Sequence, residues 1–297
     1  MVGKQERRYQ RMITVVLALI SLIMVIPLVL LVVASFTSNN EIVLHGYSFF
    51  PKELSLEAYR YIWNERAQVF HAYGITILVT AIGTTIGVMM TLLYAYVLAH
   101  EKFPGKTFLA FYLFFTMLFN GGLVPTYIMY TRYLHMKNTI PALIIPGLLM
   151  SAFNVILTRT YIQSNVPAAL SEAAKIDGAT EFQVFRKVVL PMCKPIIATV
   201  GLFAGLGYWN DWTNGLYYIT DTNKFSIQQL LNNMIKNIEF LSKNANSNIN
   251  LASVGGGIPQ ETVRMAIAIV GLLPILIVFP FVQKYFVKGI SIGAVTD

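Results

Sequence analysis

One segment of the chain carries charged residues in a pattern that could bind a protein partner. Residues Ser171–Pro191 read SEAAKIDGATEFQVFRKVVLP and lie between long apolar stretches. Glu172–Lys175 are good helix formers, and the dipeptide Asp177-Gly178 supplies a left-handed stop. Thr180 and Gln183 fit a capping box at the start of a second helix. The segment is therefore predicted to form two short helices around a turn, which is a surface on which a partner could dock.

Residue types that perform catalysis or bind metal ions are present, but their spacing favours neither chemistry. The four histidines, at positions 45, 71, 100 and 135, fall in loops or at the ends of apolar stretches. No H-E-x-x-H motif occurs, and no nucleophile has a visible base. The stretch His100–Thr107 ends like a phosphate-binding loop, but His100 stands where that loop needs its first glycine, and Pro104 interrupts it. We therefore expect no catalytic residue, metal site, cofactor or nucleotide site in this chain, and its energy source must lie on a partner.

The composition predicts a membrane protein. Of the 297 residues, 56% are hydrophobic and only 12% are charged, which is unusual for a soluble globular protein. A membrane helix needs roughly 20 apolar residues, and the alternation typical of a membrane β-barrel is absent. The expected fold is all-α, a single polytopic domain covering residues 1–297. The six predicted transmembrane helices are residues 13–35, 72–99, 107–130, 139–161, 188–212 and 263–285.

The distribution of positive charge orients these spans. Lysine and arginine are concentrated before the first span, between spans two and three, from Arg159 to Lys187, and after the last span. The positive-inside rule therefore puts both termini and residues 167–191 in the cytoplasm. Topology then explains much of the formal net charge of +8. No basic motif with interleaved aromatic residues indicates binding to nucleic acid.

Polar residues within the spans are candidates for a translocation path. Asn120 precedes a glycine pair and Pro125 in span three, a combination that weakens a helix and frees carbonyl groups. Such a break fits either a packing kink or a path lining, and an amide at that depth favours the lining. Span five ends with Trp209, Asn210 and Trp212. These aromatic and polar groups suit a sugar, but they equally suit an aromatic belt at the membrane surface.

Two further features concern packing and external contacts. Gly83 and Gly87 lie four residues apart in span two, a spacing that lets helices approach closely, so we interpret them as packing residues. Residues 213–261 form a long external loop that is rich in asparagine. A loop of this length is usually functional or disordered, and it could contact an extracellular partner.

The segment 171–191 resembles the EAA loop of the membrane subunits of ATP-binding-cassette (ABC) importers. That pattern is E-A-A, three residues, G, nine residues and I-x-L-P. Glu172-Ala173-Ala174, Gly178 and Leu190-Pro191 stand at the required positions, with Val188 in place of isoleucine. Residues 120–125, 138–139, 209–210 and 283–289 also resemble the second permease subunit of maltose-type carbohydrate importers, nearest the lipoprotein-dependent oligosaccharide branch. The resemblance covers nearly the whole chain.

This resemblance implies a type I importer permease in a bacterial cell membrane, carrying carbohydrate and in particular oligosaccharide. In that family a second, different permease completes the pore, two cytoplasmic ATPases bind ATP and magnesium, and an external solute-binding protein delivers the sugar. The coupling residues implied for the ATPase contact are Glu172, Ala173, Ala174, Asp177, Gly178 and Pro191. The loop 213–261 would touch the binding protein, and the tail after Gly289 would reach toward the ATPases.

An ion-coupled secondary transporter or channel is the main alternative. Such a protein needs carboxylates, arginines or histidines inside the membrane to handle the ion. The six predicted spans contain few of these residues, and Asp211 and Arg264 lie near the edges of their spans. This alternative would also leave the spacing of the EAA pattern a coincidence.

Overall fold

The computed structural model describes residues 4–100, 103–245 and 260–290, with side chains at 8–100, 103–240, 260–278 and 280. These residues fold almost entirely into helices. In chain order they are α1 (Lys4–Ser35), α2 (Asn39–His45), α3 (Glu57–Asn64), α4 (Arg66–Ala99), α5 (Lys106–Leu118), α6 (Leu123–Ile128), α7 (Pro141–Ile144), α8 (Ala152–Asn165), α9 (Ala168–Ile176), α10 (Glu181–Val184), α11 (Leu190–Met192), α12 (Lys194–Trp209), α13 (Thr213–Tyr218), α14 (Ile227–Ala245) and α15 (Gln260–Ile290). Within the described ranges, β-structure is limited to an isolated antiparallel bridge between Thr37 and Leu54. The prediction of an all-α fold is confirmed.

Three described helices are long and apolar enough to cross a membrane. They are Arg8–Ser35, Arg66–Ala99 and Gln260–Val278, and they coincide with the predicted spans 13–35, 72–99 and 263–285. Two further candidates are bent pairs of helices: Lys106–Leu118 with Leu123–Tyr133, bent by 115°, and Glu181–Met192 with Lys194–Trp209, bent by 81°. By length and composition, the described residues therefore supply three to five spans.

The predicted spans three, four and five differ from continuous helices. In span three the chain leaves α5 at Leu118 and resumes helix at Leu123, with Gly122 at a φ of +81°. Span four is divided into α7 and α8, and Gly147 between them has a φ of +72°. Pro146 disfavours helix at the residue before it and lacks the N–H that would continue the ladder. Span five breaks at Cys193, between Pro191 and Pro195, and its helix ends at Trp209 rather than at Trp212.

The chain divides into two compact units, one comprising the residues up to Val69 with Leu231–Pro274, and the other Phe70–Leu230 with the residues from Ile275 onward. In the first unit, the ring of Tyr59 stacks on Phe36 with centroids 4.8 Å apart, and its hydroxyl lies 2.8 Å from Oγ of Ser35. Arg264 pairs with Glu261 (3.1 Å) and Glu239 (3.7 Å). These contacts hold the segments of the first unit together.

The second unit contains residues 167–191, which we call the coupling segment because the predicted coupling residues lie in it. This unit has a continuous apolar core. Buried side chains from α4, α5, α8 and α10–α12 pack in one cluster: Leu92, Ala95, Leu98, Leu113, Val155, Ile162, Val184, Phe185, Val189, Cys193, Ile196 and Val200. Cys193 is fully buried in this cluster, where it packs as a small apolar residue. The core therefore joins the helices on both sides of the coupling segment to the C-terminal end of α4.

Candidate functional site

Helices α9 and α10 form the two-helix turn that the sequence predicts. Gly178 has a φ of +82°, a left-handed conformation that a residue without Cβ adopts at little cost. Its N–H donates to the carbonyl of Lys175 at 3.0 Å, and the N–H of Ala179 donates to the carbonyl of Ala174 at 2.9 Å. These bonds satisfy carbonyls at the end of α9. Asp177-Gly178 therefore ends the first helix, as predicted.

The second helix begins with the predicted capping box. The N–H of Gln183 donates to Oγ1 of Thr180 at 3.4 Å, and the N–H of Thr180 donates to Oε1 of Gln183 at 2.8 Å. The two side chains thereby satisfy two backbone donors that a helix start leaves open. The chain then continues through a π-helical turn, Phe185–Val189, into α11. The turn is therefore fixed at both ends by local sequence.

The predicted coupling residues form an exposed surface on this turn. Glu172, Ala173, Asp177, Gly178 and Pro191 are exposed, and Ala174 is half-buried against the apolar core. Two large apolar side chains that the sequence analysis did not assign lie on the same segment, Ile176 at 86% exposure and Phe182 at 66%. Exposed apolar side chains of this size, flanked by polar ones, are typical of a protein–protein contact. The sequence could have indicated this contact surface, because Ile176 and Phe182 are large apolar residues within an otherwise polar turn.

One carboxylate links the turn to the end of α4. The Oε1 atom of Glu181 lies 2.5 Å from Nζ of Lys175, and the hydroxyl of Tyr96 donates to Oε2 of Glu181 at 3.0 Å. Nε2 of His100 is 3.8 Å from the same Oε2 and 3.4 Å from Nζ of Lys175. The hydrogen bond from Lys175, helped by that from Tyr96, holds the pKa of Glu181 below its usual range. Glu181 precedes the predicted span 188–212, so this group belongs to the coupling segment.

The predicted path residues lie at breaks in the spans. The Oδ1 atom of Asn120 accepts a hydrogen bond from the N–H of Gly122 at 2.8 Å, so this amide forms part of the turn between α5 and α6. Trp209 packs beside Tyr73, with ring centroids 6.3 Å apart. Asn210 ends α12, where its Nδ2 donates to the carbonyl of Leu206 at 3.0 Å, and Trp212 is 44% exposed. Trp209, Asn210 and Trp212 lie together at the end of α12 because they are neighbours in the sequence. Asn120 lies at a different break, between α5 and α6.

A cavity that the sequence analysis did not assign lies where span four is broken. Its volume is about 400 Å³, and its polar lining includes Thr91, Ser151 and Asn154. Leu148, Val200 and Phe203 supply apolar walls. Volume and lining resemble those of small-molecule sites, which are mostly apolar with a few placed polar groups. The sequence signal was Pro146-Gly147 followed by Ser151 and Asn154, but only the fold brings Thr91 and Phe203 to them.

Glycines lie where α4 comes close to neighbouring segments, as the spacing of Gly83 and Gly87 predicts. A Cβ atom added at Gly87 would lie 2.7 Å from the carbonyl oxygen of Leu149, and one at Gly205 would lie 3.5 Å from Oγ1 of Thr84. Close backbone approach of this kind is what small residues permit in membrane helices. The interpretation of Gly87 as a packing residue is confirmed, and its approach to Leu149 shapes the cavity wall.

Known proteins similar to this chain are membrane subunits of importers. Residues 83–292 match the family described as "Binding-protein-dependent transport system inner membrane component". The chain is 35% identical, over 98% of its own length and 99% of the relative's, to the "Polygalacturonan/rhamnogalacturonan transport system permease protein YtcP" of Bacillus subtilis (strain 168). It is 34% identical to "Protein LplC" of the same organism, over 92% of this chain and 90% of that protein.

A solved structure agrees with these relatives. A chain of a bacterial ABC transporter involved in the import of the acidic polysaccharide alginate superposes with a TM-score of 0.75 and 27% identity. The match covers 96% of this chain and 99% of that chain. In this family the permease is not an enzyme, because the ATPase is a separate subunit, and a partner permease and a solute-binding protein complete the system. The match excludes the alternative of an ion-coupled transporter. The chain therefore belongs to the binding-protein-dependent inner membrane components, which are the permease subunits of ABC importers.

Proposed function

We propose that this chain forms one half of the pore of an ATP-driven importer of carbohydrate, in particular of oligosaccharides. The observation that carries the proposal is the exposed coupling turn α9–α10, with Gly178 in the left-handed conformation at its centre. The relatives that match nearly the whole chain support the substrate class, since one is named for polygalacturonan and rhamnogalacturonan and another for alginate. Short galacturonan and alginate oligosaccharides are therefore the first substrates to test.

The proposed topology has six spans with both termini in the cytoplasm of a bacterial cell. The three long helices supply spans one, two and six, and the two bent pairs supply spans three and five. Helices α7 and α8 together supply the fourth, interrupted at Pro146-Gly147. Interrupted helices are tolerated in a membrane where the freed backbone faces protein or a wet cavity. The loop 213–261 then lies outside, where it contacts the binding protein; its residues 246–259, Lys102 and the tail 291–297 fall outside the described residues.

The proposed partners follow from this topology. A second, different permease completes the pore, and two cytoplasmic ATPases carry ATP and magnesium, so this chain needs no cofactor of its own. The contact with an ATPase is formed by the predicted coupling residues Glu172, Ala173, Ala174, Asp177, Gly178 and Pro191. In this contact Glu172 faces a basic residue of the ATPase. Ile176 and Phe182, which are exposed on this segment, add an apolar anchor of the kind that dominates protein interfaces.

The proposed translocation path includes the cavity beside Thr91, Ser151 and Asn154 together with Asn120, Trp209, Asn210 and Trp212. A sugar presents apolar ring faces and polar edges, so it suits a wall that combines Phe203 with hydroxyl and amide groups. ATP binds the closed pair of ATPases more tightly than the open pair, and this difference in affinity biases the cavity toward one side of the membrane. The coupling turn carries that bias from the ATPases to the spans.

Affinity purification tests the proposal directly. The tagged chain, extracted in detergent from its own host, is expected to recover a second permease and an ATPase. Adding the binding protein with galacturonan oligosaccharides should then stimulate ATP hydrolysis. Glu172→Lys should lose the ATPase, whereas Glu57→Lys, a charge reversal at an exposed residue of α3, should retain it. A chain that purifies alone and moves solute down an ion gradient would overturn the proposal.

A further inference from the structure

Helix α9 is only weakly packed against the rest of its unit. None of its side chains is fully buried, and Ile176 at its end is 86% exposed. Of its residues, Ala174 touches the apolar core as a half-buried side chain. A surface helix normally takes its stability and its orientation from a buried apolar face. Packing alone therefore does not fix the direction in which α9 leaves the core.

Polar contacts around one carboxylate supply the missing connection. Glu181 binds Lys175 of α9 through Oε1 at 2.5 Å and Tyr96 of α4 through Oε2 at 3.0 Å. Lys175 reaches the end of α4 a second time, because its Nζ lies 3.4 Å from Nε2 of His100. The consecutive helices α9 and α10 and the end of α4, which is distant from them in sequence, thus converge on the same charged group. We call Tyr96, His100, Lys175 and Glu181 the polar node.

Apolar contacts make the α4 side of the node rigid. The ring of Tyr96 lies 5.2 Å from that of Phe185, centroid to centroid, and 4.7 Å from that of His100. Phe185, Val184 and Leu98 are all buried in the apolar core of this unit. The hydroxyl of Tyr96 is thereby held in place for Glu181. Motion of Lys175 reaches α4 through an oriented hydrogen bond and an ion pair.

The node contributes little to stability, which points to a different role. The side chain of Glu181 is 61% exposed and that of Lys175 is 38% exposed. An ion pair exposed to this degree contributes little to the stability of a folded protein, because water screens the charges and two long side chains must be ordered. Two bonds to opposite oxygens of one carboxylate do, however, fix the relative direction of their donors, since hydrogen bonds weaken when bent. The node therefore sets orientation rather than stability.

We propose that Glu181 is a positioning residue that transmits movement of the coupling helix α9 to α4. Sequence continuity connects α9 only to α8 and to α10–α12, so movement of the ATPase contact reaches α4 through space. Glu181 and Tyr96 provide that second route and make α4 turn together with α12. This inference rests on the proposed function, because it needs an ATPase that moves α9.

The test compares sugar moved with ATP consumed in the reconstituted complex of both permeases, the ATPases and the binding protein. The variants are Glu181→Gln, which keeps the shape of the side chain, Tyr96→Phe, which keeps the ring on Phe185, and the double variant. Tyr133→Phe, at a tyrosine that is 77% exposed, is the matched control. The probe is galacturonan oligosaccharide, or alginate oligosaccharide if only that is transported.

We expect each single variant to recover the ATPase in wild-type amount but to transport about three- to tenfold less sugar per ATP, the range for one ordinary hydrogen bond, since water screens this exposed carboxylate. The double variant should be no worse than Glu181→Gln, because the bonds from Lys175 and Tyr96 to Glu181 act in series and the loss of either one interrupts the route. A wild-type ratio in the single variants, or fully additive losses, would overturn the inference. So would loss of the ATPase from the complex, which would make Glu181 a docking residue. If the unaltered chain recovers no ATPase, the proposed function itself fails.

Discussion

The ring of Tyr208 in α12 lies directly against Gly83 in α4, so closely that a Cβ atom at position 83 would come within 2.6 Å of ring atom Cε1. The ring cannot turn away freely, because its side chain is 2% exposed and its hydroxyl donates to the carbonyl of Ile144 at 2.9 Å. The bond satisfies a carbonyl at the end of α7, where span four is broken. Gly83 and Tyr208 thus join the helices α4, α12 and α7 at one point.

Gly83→Ala should destabilise the protein by about 1–3 kcal/mol, the range for overpacking in a filled interior. Gly74→Ala is the matched control, since Gly74 lies in the same helix and a Cβ there would have no atom within 4 Å. Thermal unfolding of the two variants in the same detergent checks the prediction. Equal melting temperatures for both variants would contradict the close packing.

The backbone at Gly178 gives a second prediction. Its φ of +82° is costly for a residue with a branched Cβ, but asparagine tolerates that region. A Cβ at this position would meet no atom within 4 Å, so any penalty comes from the backbone and not from a clash. Gly178→Val should therefore reduce sugar uptake strongly, and Gly178→Asn should retain most of it.

Uptake assays in whole cells, with membrane levels of the protein measured in parallel, distinguish these two variants. Gly178→Val that transports as well as Gly178→Asn would show that the left-handed turn is not needed for coupling. Reduced membrane levels for Gly178→Val alone would assign the penalty to folding of the turn.

If the cavity binds sugar, replacing two threonines of α4 should have different effects on the apparent affinity for oligosaccharide. Thr91 lines the cavity, whereas Thr85 is exposed and its hydroxyl donates to the carbonyl of Ala81 at 2.7 Å. Thr91→Val removes one polar group from the cavity without changing its volume. We expect about a fivefold weaker apparent affinity for transported oligosaccharide, equivalent to one hydrogen bond of about 1 kcal/mol. Thr85→Val should leave the concentration dependence of uptake unchanged, and equal effects of the two changes would exclude a role of the cavity in binding sugar.

The protonation of Glu41 should determine how the segment after α2 responds to acid. Its carboxylate accepts hydrogen bonds from the backbone N–H groups of Lys52 (2.7 Å) and Glu53 (2.5 Å). The hydrogen bond from Lys52 lowers the pKa of Glu41, and the bond from Glu53 lowers it further. Partial burial of the carboxylate raises the pKa, but by less than these bonds lower it. A group whose pKa is lowered by folding contributes its stabilisation in full above its ordinary pKa and loses it as the pH falls through the lowered value.

The amide protons of Lys52 and Glu53 should therefore stay protected from hydrogen exchange at neutral and mildly acidic pH, and lose protection only below the ordinary pKa of a glutamate. In Glu41→Gln that acid-dependent step should disappear, because the amide side chain does not titrate. Exchange measured by mass spectrometry at several pH values, corrected for intrinsic rates, checks both statements. An unchanged acid step in Glu41→Gln would assign it to another group.

Local sequence was sufficient for the coupling turn. Thr180 and Gln183 form the predicted capping box, and Gly178 is left-handed, because both features depend on residues no more than three positions apart. The uninterrupted spans were also predictable, since the predicted spans 13–35, 72–99 and 263–285 fall within α1, α4 and α15 and follow from apolar length alone. Hydrophobicity could not locate the break in span four, because residues 145–151 are as apolar as a continuous helix would be.

The membrane class, the all-α fold and the importer family can all be predicted from the sequence. They depend on composition, apolar run lengths and fixed spacings, which are properties of the chain in one dimension. Only the folded chain shows that Tyr96 meets Glu181, that Tyr208 meets Gly83, and that Thr91 and Asn154 line one cavity. Each of these pairs joins residues more than 60 positions apart, and only the packing of whole helices sets which faces meet.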